Sequence, residues 1–81
     1  MVNKYKEAMD ILYTMAKEQA DRYRKLDAEV ANCYFEFSHE LFGVTTAATY
    51  CCELDTDSSE ILEYAAELRN KFWKEEVESV R

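Results

Sequence analysis

At 81 residues the chain has room for one small domain, and 1–81 reads as a single helical unit. Its 48% hydrophobic and 33% charged residues describe a globular chain, and one glycine with no proline excludes the turn-rich β-sandwiches and barrels. Ten basic side chains stand against seventeen acidic ones, a net charge of −7 that disfavours direct nucleic-acid binding.

The fold class expected is all-α: a compact bundle of three main helices, about 4–24, 28–42 and 58–80, with a further short helix near 47–53. The first is marked by apolar residues at steps of three and four: Tyr5, Met9, Leu12, Ala16, Ala20 and Tyr23. The spacing runs on through Leu26, Val30, Tyr34, Phe37 and Leu41. It is therefore compatible with one helix of about 40 residues, roughly 60 Å long, or with two. A chain this short cannot cover a 60 Å helix, so a break near Arg24–Asp27 is favoured, with Asp27 as the cap of the second helix.

The second segment, Val30–Phe42, is apolar around most of its circumference and is expected at the centre of the bundle. Gly43 is the expected terminator, and Thr45 or Thr46 would cap the short helix that follows. The polar run Asp55–Ser59 is the clearest connector. Asp57 followed by Glu60 fits a capping box for the last helix. That helix carries Ile61, Leu62, Ala65, Leu68, Phe72, Val77 and Val80 along one stripe, with Trp73 beside it.

Three cysteines, Cys33, Cys51 and Cys52, do not make a disulfide framework. They read as reduced thiols of a cytoplasmic protein, used as small apolar groups. No basic start followed by an apolar run suggests a leader, and no stretch suggests a membrane span. Cys33, His39, Cys51 and Cys52 have the ligand number of a zinc site but not its spacing, because Cys51 and Cys52 are neighbours.

Charge is segregated along the chain. Residues 1–25 hold six basic side chains and four acidic ones, and residues 69–81 hold four and three. Between them, residues 26–68 hold ten acids and no lysine or arginine. Glu36 and Glu40 are one turn apart, and Glu60, Glu63 and Glu67 share a helix face, although like charges at this spacing repel. The basic cluster Lys17, Arg22, Arg24 and Lys25 is expected to pair with acids across the fold.

Enzyme templates fit poorly. Glu36-x-x-His39 has the spacing of di-iron bundles, but Phe37 and Leu41 set the inward face and leave Glu36 on its flank. Glu60-x-x-Glu63 and Glu75-x-x-Glu78 lie on one helix and cannot face each other around a divalent metal. Asp55–Glu60 begins like a calcium loop but lacks the glycine and the closing glutamate. A single glycine rules out a phosphate-cradling loop. No catalytic residue, cofactor or metal site is therefore assigned.

The expectation is a small acidic, non-enzymatic protein–protein interaction module that self-associates as a homodimer. Its partner would be another protein with a basic surface, meeting an acidic face of Glu36, Glu40, Asp55, Asp57, Glu60, Glu63 and Glu67. Phe35, Phe42 and Trp73 form a candidate aromatic interface. One alternative is an inhibitor of the phage or mobile-element type, blocking a nucleic-acid-handling protein by mimicking nucleic acid. A further alternative is a carboxylate-metal helical enzyme.

Overall fold

A computed structural model describes residues 4–50 and 58–78. Three helices, α1 (Lys4–Lys25), α2 (Ala31–Tyr50) and α3 (Ser58–Phe72), are followed directly by a π-helical turn, Trp73–Val77. The helices run up, down and up, so α1 and α3 are parallel. Asp10 is beside Tyr64 near the start of both, and Arg24 beside Glu76 near their ends.

The core takes one large aromatic from each helix. Phe37 of α2 lies 5.3 Å, centroid to centroid, from Phe72 of α3, and Tyr13 of α1 lies 5.9 Å from Phe37 and 6.4 Å from Phe72. The tilted and edge-on geometries are those that aromatic quadrupoles favour. Met9, Leu41, Ile61 and Leu68 fill the space around these rings.

The chain does break between the first two helices, but Asp27 plays a different part there from the one expected. It ends α1 instead of starting α2. Ala28 N–H donates to the Tyr23 carbonyl at 2.8 Å, and Asp27 N–H to the Arg24 carbonyl at 3.2 Å. This pair of bonds is the Schellman closure, with Asp27 in the left-handed position at φ 57°. Helix α2 then opens on tight turns, Asn32 N–H to the Glu29 carbonyl and Cys33 N–H to the Val30 carbonyl.

Gly43 does not terminate α2, which continues to Tyr50, so residues 47–50 belong to that helix and not to a separate short one. The threonines expected to cap a new helix bond backward instead. Thr45 and Thr46 Oγ1 donate to the Phe42 carbonyl at 2.9 and 2.8 Å, and Thr49 Oγ1 to the Thr45 carbonyl at 2.9 Å. That pairing lets Thr45 be buried beside Leu41 and Ala48 in the core. Residues 51–53, and Asp57 of the expected capping box, lie outside the described residues.

The second helix is not buried all round either. It packs on both neighbours, yet a helix in a three-helix bundle keeps one side outward. On α2 that side carries Phe35 and Phe42. The last helix changes pitch at Trp73. The wider π turn brings the consecutive residues Glu76 and Val77 both into the interior.

Candidate interaction surfaces

Each pair of helices leaves a groove, and the three grooves differ in chemistry. Between α2 and α3 the lining is Ser38, Leu41, Phe42, Thr45, Leu62, Ala65 and Arg69. Phe42 is 69% exposed and Leu62 54%. Phe35, 63% exposed, lies two turns from Phe42 on α2, about 10 Å along the axis. Inside this groove the Ser38 hydroxyl oxygen is buried without a hydrogen-bond partner among the described residues.

The expected aromatic interface is thus partly assembled. Phe35 and Phe42 share the outer side of α2. Trp73 is half-buried at the seam, its ring edge-on to Tyr34 at 4.9 Å, while Tyr34 meets Phe35 at 5.6 Å. Trp73 therefore supports Phe35 through Tyr34 more than it offers a surface of its own. Leu62, assigned to the buried stripe from its spacing, joins the exposed group because it sits on the α2 side of α3.

Between α1 and α2 the groove encloses about 240 Å³ and is lined by Met15, Ala16, Gln19, Cys33, Glu36, Phe37 and Glu40. Its floor is apolar and its α2 rim carries two exposed carboxylates one turn apart. Tyr23 Oη donates a long bond, 3.4 Å, to Glu36. Burial raises the pKa of the Cys33 thiol, and the negative charge of Glu36 adds to the effect, so the thiol form is favoured at the groove floor.

Between α1 and α3 the third groove is lined by Lys6, Glu60, Glu63, Tyr64 and Glu67. The Lys6 ammonium lies 5.4 Å from the Tyr64 ring centre. Five of the acids of residues 26–68 therefore fall into two groups, Glu36 and Glu40 in one groove and Glu60, Glu63 and Glu67 in another, with α1 between them, while Asp27 and Glu29 are exposed between α1 and α2. Asp55 and Asp57 lie outside the described residues.

Two of the expected basic residues of α1, Lys17 and Arg24, reach acids across the fold, those of the last segment, while Arg22 bonds Gln19 of its own helix. Lys17 pairs with Glu75 at 3.4 Å, and Arg24 with Glu76 at 2.7 Å and with Asp21 at 2.6 Å. Tyr13 also donates to Glu75. None of Glu36, Glu40, Glu60, Glu63 or Glu67 takes part in an ion pair given by the described residues. Sequence reading missed the part played by Glu75 and Glu76, because the signal joining them to Lys17 and Arg24 is tertiary.

Among the described residues no group of three or more histidine, cysteine, aspartate or glutamate side chains converges as metal ligands would. Glu36 and His39 gain no third donor there. No helix among those residues is long and apolar enough to cross a membrane. Comparison with protein-family models, curated proteins and solved structures finds no match.

Proposed function

We propose that this chain is a small, non-enzymatic protein–protein interaction module that self-associates through the α2–α3 face. The observation that carries the reading is the joint exposure of Phe35, Phe42 and Leu62 on one side of the bundle. Together they leave on the order of 300–400 Å² of apolar surface in water, the size at which a patch on a small monomer tends to have a use.

A two-fold axis over the middle of α2 suits this face. Phe35 and Phe42 are seven residues apart and straddle Ser38 and His39. Antiparallel packing of two α2 helices would set Phe35 of each copy against Phe42 of the other, the isologous pattern common in dimers. Glu36 and Glu40 turn toward α1, so the contact does not bring them face to face.

The test is sedimentation equilibrium on the full chain and on Phe35→Ser/Phe42→Ser. A dimer mass at about 100 μM that falls to monomer in the variant, with unchanged helical circular dichroism, supports the reading. A monomer throughout that range would overturn it. The nucleic-acid-mimic alternative draws less support, because the carboxylates divide between two grooves and do not line up as a phosphate row would.

A further inference from the structure

The α1–α2 groove has a chemistry that the self-association face lacks. Its floor is Met15, Ala16, Cys33 and Phe37; its α2 rim is Glu36 and Glu40; Gln19 closes one end. Met15 is 56% exposed, and Ile11, one turn before it on α1, is also exposed. Helix α2 has no lysine or arginine of its own to answer the two carboxylates. We infer that this groove docks a cationic amphipathic helix of another protein, laid along α1 and α2 as a fourth member of the bundle. The inference rests on the interaction-module reading but uses a different face.

The match is in both shape and charge. Two parallel ridges about two turns long accept apolar residues at i, i+3 or i+4, and i+7 from a helix lying between them. Such a helix seats its apolar stripe on the exposed Met15 and on Ala16, over the buried Cys33 and Phe37. A lysine or arginine beside that stripe then reaches Glu36, and another one turn along reaches Glu40. Arg22 donates to Gln19 at 3.0 Å and marks the far end of the groove with positive charge. The docked helix should therefore place its C-terminus, the negative end of its dipole, toward Arg22 and so run parallel to α1. The neutral Cys33 thiol keeps the floor apolar.

The probe is an amidated leucine–lysine peptide of about 14 residues, patterned as an amphipathic helix and labelled for fluorescence anisotropy. Two variants make the same change in net charge: Glu36→Gln/Glu40→Gln and Glu60→Gln/Glu63→Gln. Loss of two partly exposed charge pairs should weaken binding about fivefold or more in the first, while the second changes it less than about twofold. Met15→Ser should weaken it several-fold without changing its salt dependence. Amide shift mapping on the unaltered chain should place the peptide at Ala16, Gln19 and Cys33, and this readout stands even if a variant folds poorly. Equal weakening in both charge variants, shifts centred on Glu60–Glu67, or no binding at about 100 μM peptide would each overturn the inference. Sedimentation of the same samples reports the self-association separately, so the two readings fail independently.

Discussion

Arg24 holds Glu76 through a single nitrogen that donates twice, to the carboxylate at 2.7 Å and to the backbone carbonyl of the same residue at 3.2 Å. Glu76 is only 7% exposed, so this pair fixes the end of α1 to the π turn in a poorly hydrated setting. Removing Arg24 strands a buried acid. Arg24→Met should cost about 2 kcal/mol, less than a fully enclosed pair because the guanidinium is partly exposed. In a chain this size that lowers Tm by about 10 °C. Urea unfolding of Arg24→Met, Glu76→Met and the double variant would show the double less destabilised than the two singles added together.

The Tyr13–Glu75 contact predicts a pH profile with two shoulders. Tyr13's hydrogen bond, helped by Lys17, lowers the Glu75 pKa below the ordinary carboxylate value. Its contribution is therefore present above that ordinary value and is lost as pH falls through the folded one. Burial, and then Glu75 itself, push the Tyr13 phenol well above its usual 10.0. That contribution is present below pH 10 and fades as the pH climbs beyond it. Tyr13→Phe should flatten both shoulders in a Tm-against-pH series. It should also remove one late phase from the alkaline phenolate absorbance titration, while Tyr64, hydrogen bonded to Asp10, still titrates late.

Gly43 occupies the interior of α2 with no positive φ, and a Cβ built there meets nothing within 4 Å. Alanine at this site keeps the helix and restricts the unfolded chain. Gly43→Ala should add about 0.8 kcal/mol, read as a higher urea midpoint at unchanged slope.

Asp27 pays the steric cost of the left-handed region, where glycine has none. Asp27→Gly should be stabilising by about 0.5 kcal/mol, Asp27→Asn close to neutral, and Asp27→Val destabilising by more than 1 kcal/mol, or roughly so. Thermal unfolding monitored at 222 nm would rank the three.

Periodicity made the helical segments legible, since a stripe such as Met9, Ala16, Ala20 and Phe37, Leu41 needs only local spacing to be recognised; the break between the first two helices followed from chain length, because the spacing runs on through Leu26 and Val30. Local spacing also explains the errors. Glycine and threonine carry real terminator and cap preferences, but these are worth about 1 kcal/mol each. In α2 they yield to the packing of Leu41, Thr45 and Ala48 on either side of Gly43. Asp27 suits a cap at the start of a helix and a left-handed turn at the end of one, and only the hydrogen bonds of Tyr23 and Arg24 decide between them. The candidate surfaces were half visible. Glu36 and Glu40 stood out by their charge and Phe35 and Phe42 by their size. Which groove each would line depends on helix rotation, which composition does not encode.

The π turn makes the molecule tolerant of a shorter chain at one place. A widened turn behaves as an α-helix carrying a surplus residue, so deleting Lys74, which is exposed, would let the backbone relax to regular pitch at little local cost. Side chains after the turn would then keep close to their present phase, because the wide turn already absorbs the surplus residue. A one-residue loss in the regular part of α3, at the exposed Asn70, has no such surplus to draw on. Every side chain downstream would turn by about 100°, the carboxylate of Glu76 would leave Arg24, and the end of α1 would come unclasped.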